Sequence, residues 1–387
     1  MDNKVSLKDG RYTVKLEWIE PIDMGDNKQV ALIRHHRLER SLEARNLTLD
    51  YAKELGEMVR NFTEPAEEPC KSRKCYYMPH HPVVRMDKET TKMRVVFDAS
   101  SHATGTKPLN DNLFKGIVKW DLLNLLLRFR FGQHAVIADV EKAFLQIRVD
   151  PDDRDAFRFW WRDETGQLTT RRFTAVPFGT SISPYLLYIV FSHLFKQMES
   201  KYPAVVSVVK DRMYVDDVIV AFQDAKPEDL EQFRTQCTAL FKEASMNLRK
   251  FRTNHQQLDE QWAGPDRAEI AKVLGHAWTV LVDTFAPSID IGPYQTLVSL
   301  TKREFTAFVQ SVYNPTGIVA PFNLKLKLAL RELWALKLRW DEPIPESNLQ
   351  EALGLIRDAQ LVNSMVAPRN VLPDDDSVPT LRIYADA

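Results

Sequence analysis

Apolar and polar residues alternate along the chain with two periods, which divides it into helical and extended segments. Apolar residues recur every three to four positions, as in amphipathic helices, in residues 27–45, 48–62, 183–201, 228–244, 301–313 and 321–340. Alternating or short continuous apolar runs predict strands at residues 82–86, 93–98, 136–140, 156–162, 169–175, 205–209, 218–221, 247–251 and 272–280. Residues 1–26 predict an extended arm, residues 63–74 a linker, and the prolines after residue 340 loosely packed connections. The chain is therefore predicted to mix helices with strands.

Local signals fix some of these elements more closely. Thr48 is predicted to be an N-cap, with Asp50 in the first helical turn. Ser183-Pro184 places proline at the first position of a helix. Residues 156–162 and 169–175 are predicted to pair across a turn at Gly166.

One acidic segment, Tyr214-Val215-Asp216-Asp217, lies between the apolar runs 205–209 and 218–221. This arrangement predicts a strand, a tight turn and a second strand. Adjacent carboxylates repel each other, and a divalent cation removes that penalty. The turn is therefore a candidate metal site, with a solvated acidic turn as the alternative.

A metal site needs a further carboxylate, and Asp139 at the end of the 136–140 run is the best candidate. Its alternative is an ordinary residue of a strand-end turn. Together with Asp216 and Asp217, it would hold two magnesium ions, which prefer oxygen ligands. Two such ions activate an attacking hydroxyl and stabilise a leaving oxygen.

Composition limits the partners and the compartment. The 387 residues are 44% hydrophobic, which suits a globular protein, and 52 basic residues against 53 acidic ones give a net charge of −1. A nucleic-acid partner would then be held by local basic patches. The odd set of Cys70, Cys75 and Cys237 favours a reducing compartment and offers no zinc spacing. No signal peptide or membrane-spanning run is expected.

Six segments, in order, resemble the motifs of retroelement reverse transcriptases. The resemblance lies in a fingers segment (92–100), three catalytic motifs (139–144, 176–184 and 214–217), a lysine motif (248–250) and a primer-grip hairpin (273–278). Further segments resemble the Pao/BEL class of long-terminal-repeat retrotransposons, namely 77–83, 107–111, 313–317, 331–334 and 340–345.

This resemblance implies an α+β fold of the right-hand polymerase type, with fingers, an RRM-like antiparallel palm and a helical thumb. The implied organisation is an N-terminal helical arm or linker (1–75), fingers and palm (76–285), a thumb-like region (286–345), a connection (346–380) and the truncated start of an RNase H domain (381–387). The implied activity is RNA-directed DNA polymerisation. The implied partners are an RNA or DNA template, a DNA or tRNA primer and deoxynucleoside triphosphates, with no membrane. The implied location is intracellular, in the cytoplasm or in virus-like particles.

The resemblance also assigns roles at the reacting end of the site. Asp139, Val140, Asp216 and Asp217 would hold two Mg²⁺ ions, which Mn²⁺ could replace. Lys250 would act as a general acid for pyrophosphate, or be only a lysine at a strand edge.

Further residues would bind substrates. Arg94, with Lys92 or Lys88, would bind the triphosphate, although a solvated hairpin tip is the alternative for these basic residues. Phe144 would exclude a 2′-hydroxyl, or serve in part as core. The other expected contacts are Phe178, Gly179 and Tyr214 on the substrate and Leu274, Gly275 and His276 in the primer grip.

The predicted helices after residue 299 carry an excess of basic residues. In residues 299–340, seven basic residues and two acidic ones give a net charge of 7 − 2 = +5, which suits phosphate binding.

Asp386 resembles the first ligand of an RNase H site, and because one carboxylate makes no two-metal site, no RNase H activity is expected. The alternatives are a truncated, non-catalytic remnant that binds nucleic acid, and an RNA-dependent RNA polymerase, which Phe144 disfavours.

Overall fold

Helices and strands alternate along the chain, and the computed structural model of the protein describes them over residues 4–84, 93–264 and 267–372. The helices are α1 (Lys28–Ala44), α2 (Thr48–Phe62), α3 (Leu109–Asn112), α4 (Leu122–Phe129), α5 (Ser183–Met198), α6 (Pro203–Val209), α7 (Pro227–Lys242), α8 (Gln256–Ala263), α9 (Lys302–Ser311), α10 (Ala320–Ala335) and α11 (Glu346–Asn363). The strands are β1 (Val5–Lys8), β2 (Arg11–Val14), β3 (Thr63–Pro65), β4 (His80–Val84), β5 (Met93–Phe97), β6 (His134–Val140), β7 (Arg148–Val149), β8 (Arg158–Arg162), β9 (Leu168–Phe173), β10 (Met213–Tyr214), β11 (Asp217–Phe222), β12 (Leu248–Thr253), β13 (Ile270–Val273), β14 (His276–Thr279), β15 (Thr284–Pro287) and β16 (Ala367–Pro368).

One compact unit comprises Met1–Lys119, Val140–Lys210 and Gln236–Leu248. It contains the sheets β1-β2-β7 and β3-β9-β8 and the hairpin β4-β5. Phe97 of β5 packs edge-on against Phe159 of β8 and Phe173 of β9, with ring centroids 5.3 and 4.9 Å away. Aromatic rings in this edge-to-face geometry stabilise a fold by more than their buried area alone would give. The aromatic cluster therefore fixes the β4-β5 hairpin on the β8-β9 sheet.

A second compact unit comprises Trp120–Asp139, Asp211–Thr235 and Arg249–Ala387. Its sheets have the strand orders β10-β11-β6-β12 and β13-β14-β15-β16. A buried apolar cluster joins α4 to strands of both sheets through Leu126, Phe129, Ala135, Ile219, Val273, Trp278, Val280 and Phe285. This cluster sets the position of the β13-β14 hairpin relative to β6 and β11.

Helices α9, α10 and α11 form a separate core within the second unit. Its buried residues include Phe305, Phe308, Leu326, Leu333, Leu349, Leu355 and Ile356. Thr301 and Glu304 form a reciprocal capping box at the start of α9. The Lys302 ammonium lies 3.8 Å from the centroid of the Trp334 ring and donates to the Leu338 carbonyl at 3.1 Å. Lys302 is therefore committed to holding α9 against the end of α10.

Arg369 anchors the chain after α11. Its guanidinium is fully buried and donates to both carboxylate oxygens of Asp283, at 2.6 and 2.8 Å. It also donates to the backbone carbonyls of Phe129, Gly132 and Gln133. Nearly all of its donors are thus satisfied, as a buried charge requires.

Most predicted elements are present in the described residues, and the mixed helix and strand content confirms the α+β class. Three local predictions are wrong. Residues 205–209 lie in helix α6, which has Pro203 at its first position. The valines that predicted a strand are therefore buried on a helix. Leu47, not Thr48, is the N-cap residue of α2. Residues of the predicted extended arm are extended, as the two strands of the β1-β2 hairpin, whereas Thr63–Pro65 of the predicted linker is a strand that pairs with β9.

The chain after residue 345 also differs from the expected loose connection. Helix α11 buries Leu349, Ala352, Leu355, Ile356 and Ala359. Proline 345 precedes this helix and is compatible with its start. Outside the described residues lie the end of the predicted 82–86 strand and the segment 381–387, which resembles the start of an RNase H domain. Among those described, no helix is both long and apolar enough to cross a bilayer.

Candidate metal centre

Three carboxylates meet where β6, β11 and the short β10-β11 loop come together. Asp139 near the end of β6 is the direct cross-strand partner of Asp217, the first residue of β11. Directly opposed residues of antiparallel strands project from the same face of the sheet. Asp216 lies in the loop just before Asp217. One carboxylate oxygen from each of the three residues lies within 4.8 Å of the others.

The loop itself is tight and strained. Tyr214 pairs with Asp217, so Val215 and Asp216 form a two-residue hairpin loop. Val215 has φ of 55°, a region that β-branched residues rarely adopt and that costs about 1–3 kcal/mol. The pairing of β10 with β11, and of β11 with β6, holds this conformation. The result is that Asp216 is presented next to the carboxylates of Asp139 and Asp217.

The electrostatics of the cluster are unfavourable without a cation. Burial, together with the negative charges of Asp216 and Asp139, raises the pKa of Asp217 to about 7, and Lys250 opposes the shift. Two unit charges 4.8 Å apart repel by about 3–4 kcal/mol at an effective dielectric constant of about 20. The three side chains can therefore be ionised together at neutral pH only at a considerable cost in free energy.

Two basic side chains already lie on Asp139. The Lys250 ammonium is 3.3 Å from the Asp139 carboxylate, and Arg249 Nε donates to the same oxygen at 3.4 Å. The sequence predicted Lys250 as a site residue, and the structure places it at the carboxylates. Arg249 was missed, although it belongs to the same predicted lysine motif.

The donor set fits hard divalent cations. Three carboxylates supply oxygen ligands, which Mg²⁺ and Mn²⁺ prefer over nitrogen or sulfur. Burial and the two neighbouring carboxylates raise the pKa of Asp217, and a bound cation would favour its ionised form. Val140, the other predicted ligand, is fully buried and could contribute only its backbone carbonyl.

The β13-β14 hairpin contains the predicted primer-grip residues. Val273 pairs with His276, and the two loop residues Leu274 and Gly275 have φ of 44° and 88°. Positive φ at both loop positions is the pattern of a type I′ turn, which matches the twist of paired strands. The His276 ring stacks on Phe285 of β15 at 4.7 Å. Burial lowers the pKa of His276, so the ring is neutral at physiological pH.

The remaining predicted substrate contacts lie in the first unit. Arg94 is exposed on β5. Phe144 packs edge-on against Phe178, with centroids 5.6 Å apart, so the structure brings these two predicted residues together. Gly179 has φ of 93°, and a Cβ there would overlap the Phe97 carbonyl oxygen. Lys92 and Lys88 lie outside the described residues.

Two models of known protein families match parts of this chain. A family model described as reverse transcriptase (RNA-dependent DNA polymerase) matches residues 101–277, which include the three carboxylates. A second model, described as the Pao retrotransposon-like RNaseH-like domain, matches residues 301–387. No curated protein matches the sequence.

A solved structure of the foamy viral protease-reverse transcriptase dRH, in complex with double-stranded DNA, resembles the fold. The TM-score is 0.50 at 14% identity, over 79% of this chain and 47% of that one. The chain thus spans about half the length of this relative, and the likeness concerns the fold alone. The two family matches show that the chain carries a reverse transcriptase domain of a Pao/BEL-type retrotransposon.

Proposed function

We propose that this chain is an RNA-directed DNA polymerase that transfers nucleotides from deoxynucleoside triphosphates to a primer 3′-hydroxyl. The observation that carries the proposal is the cluster of Asp139, Asp216 and Asp217, which lies inside the reverse transcriptase match. Two magnesium ions bound there would lower the pKa of the attacking hydroxyl and stabilise the leaving oxygen of an in-line displacement.

The basic residues beside the carboxylates have a proposed role on the leaving-group side. Lys250 is exposed, and its ammonium lies 3.3 Å from the Asp139 carboxylate. From this position the ammonium would donate a proton to the leaving pyrophosphate, as a general acid does. Arg249 lacks a readily donated proton and would supply positive charge only.

Residues of the first unit have proposed roles in nucleotide selection. The Phe144 ring, supported edge-on by Phe178, would leave no space for a ribose 2′-hydroxyl. Gly179 would let the backbone approach the base pair closely. Arg94 would bind the triphosphate as a forked donor, with Lys92 beside it in sequence.

The right-hand subdivision into fingers, palm and thumb, with its residue boundaries, is part of the proposal. The foamy viral relative is bound to double-stranded DNA, which supports a template–primer duplex as the partner here. Two of the seven basic side chains in residues 299–340 are already engaged within the protein. Lys302 is buried against Trp334, and Arg303 is paired with Asp341. Phosphate contacts in this region would then come from the exposed Lys325, Lys327 and Arg331 on α10.

The absence of RNase H activity stays a prediction. The sequence predicted no such activity, since Asp386 alone makes no two-metal site, but Asp386 lies outside the described residues. The Pao RNaseH-like match to residues 301–387 leaves that prediction unconfirmed. An intracellular location, in the cytoplasm or in virus-like particles, is likewise proposed.

Primer extension on an RNA template tests the polymerase proposal. Asp216→Asn should abolish Mg²⁺-dependent extension while leaving the protein folded, because it removes a ligand and no buried apolar contact. Asp224→Asn, at an exposed carboxylate after β11, is the matched control and should extend normally. Full activity of Asp216→Asn would refute the assignment. Binding of primed template without extension by the wild-type protein would favour the non-catalytic remnant, and preference for ribonucleotides would favour an RNA polymerase.

A further inference from the structure

Tyr313, in the segment after α9, packs directly on the tip of the β13-β14 hairpin. A Cβ at Gly275 would lie 2.6 Å from Tyr313 Cε1 and closer still to Cδ1, so the ring covers the glycine backbone. Gly275 also has φ of 88°, which a side chain would adopt only under strain. Two separate constraints thus require glycine here, and one of them is the Tyr313 ring.

The same segment makes a second contact with the hairpin. Thr316 Oγ1 lies 3.4 Å from His276 Nε2, at the residue that follows Gly275. The segment is itself fixed, because the Asn314 side chain accepts a hydrogen bond from the Val319 backbone at 3.1 Å. A structured loop that begins at the end of α9 therefore contacts two successive residues of the hairpin tip.

The β13-β14 hairpin is packed against the strands that carry the carboxylates. Val273 and Trp278 of the hairpin share a buried apolar cluster with Ala135 of β6 and Ile219 of β11. Tyr214 pairs with Asp217 in β10-β11. Tyr313 remains 49% exposed, so part of it is open to a ligand while its ring covers Gly275.

We propose that Tyr313 is a positioning residue, which holds the Leu274–Gly275 turn at a fixed place beside the Tyr214–Asp217 hairpin and so aligns the 3′-terminal nucleotide of the primer with the carboxylates. This inference rests on the proposed polymerase function. A nucleotide at this place would meet an aromatic ring, on which any base or sugar can pack without sequence preference. Small errors in alignment are costly, because a displacement of about 1 Å can lower a rate by about a hundredfold.

The first test compares Tyr313→Ala with Tyr313→Phe in single-turnover primer extension. Tyr313→Ala should lower the extension rate at saturating nucleotide by about tenfold to a hundredfold, with the dissociation constant of the nucleotide nearly unchanged. Tyr313→Phe keeps the ring on Gly275 and should restore most of the rate. Ile318→Ala is the matched control, since Ile318 lies in the same loop and is also 49% exposed. It should behave as wild type.

The second test is a double-mutant cycle with Gly275→Ala. The added Cβ meets the Tyr313 ring in the wild-type background, whereas the backbone strain is the same in both backgrounds. The loss of rate caused by Gly275→Ala should therefore be clearly smaller when Tyr313 is already alanine. Additive losses would overturn the inference, as would a defect of Tyr313→Ala confined to nucleotide affinity or explained by a lower melting temperature.

A binding measurement separates this inference from the polymerase proposal. A fluorescent 2-aminopurine at the primer 3′ end reports how the terminal base is stacked when a primed template is bound without extension. Tyr313→Ala should change that signal while overall duplex affinity is retained. If the wild-type protein binds but does not extend, a changed signal would uphold the positioning role and refute the polymerase proposal. An unchanged signal would refute the positioning role.

Discussion

The titration of Asp217 gives a prediction that does not depend on catalysis. The pKa of this carboxyl rises from 3.8 to about 7 in the folded protein, chiefly through burial and then through Asp216 and Asp139. Because the folded-state pKa lies above the unfolded value, the folded protein binds this proton more tightly than the unfolded chain does. The resulting contribution to the free energy of unfolding is fully present below about pH 4 and is lost as the pH rises through about 7. Over that window the free energy of unfolding should fall by about 4 kcal/mol at most.

The perturbation is Asp217→Asn, which removes the titrating group and keeps its shape. Between about pH 5.5 and about pH 8, the wild-type protein should lose about 2 kcal/mol more stability than the variant, since the unfolded carboxyl is already ionised at the lower pH. Other titrating groups contribute equally to both proteins and cancel. In the absence of metal, Asp217→Asn should therefore be the more stable protein at the higher pH.

Urea unfolding followed by circular dichroism, with EDTA present, measures this difference. The exposed Asp224→Asn is the control and should follow the wild-type pH dependence. Added Mg²⁺ should stabilise the wild-type protein and flatten its pH dependence, because a bound cation favours the ionised carboxylate. An unchanged pH dependence in Asp217→Asn, or a variant less stable than wild type at the higher pH, would refute the electrostatic reasoning.

Three other substitutions test separate parts of the structure. Arg369→Met should lower the free energy of unfolding by about 3–5 kcal/mol, because it leaves the Asp283 carboxylate without its cationic partner, and denaturant unfolding will show whether it does; no change would contradict the proposed weight of this ion pair. Gly179→Ala should cost about 2 kcal/mol or more through its overlap with the Phe97 carbonyl, measured in the same way, and a stabilised variant would disprove it. Phe144→Ala should raise ribonucleotide incorporation relative to deoxynucleotide by about tenfold or more, whereas unaltered selectivity in primer extension would show that the ring plays no such role.

The carboxylate cluster was largely predictable because its signals are local. The sequence predicted a hairpin at Asp216 and Asp217 and a strand ending at Asp139, and the structure pairs these strands in register. The Pao/BEL resemblance is confirmed by the family matches. The roles of the individual site residues and the domain boundaries stay predictions.

Errors arose where tertiary packing overrides local preference. The valines of 205–209 favour a strand by propensity, but they form helix α6, in which Val205, Val206 and Val209 are buried. Burial satisfies an apolar run in either conformation, so the pattern alone does not decide between them. The prolines around helix α11 predicted loosely packed connections, whereas the spacing of its apolar residues is that of a helix with one buried face.

Contacts between distant segments could not be derived from the sequence. Nothing in the local pattern places the Tyr313 ring on Gly275, or Arg369 on Asp283. In each contact the two residues are far apart in the sequence and come together only when the chain folds.

The most direct test of the central claim is extension of a DNA primer annealed to an RNA template, with deoxynucleotides and with Mg²⁺ as the only divalent cation. The wild-type protein should extend the primer, and Asp139→Asn should not, although it binds the same primed template. Extension that survives in Asp139→Asn, or that proceeds equally well in excess EDTA, would contradict the account.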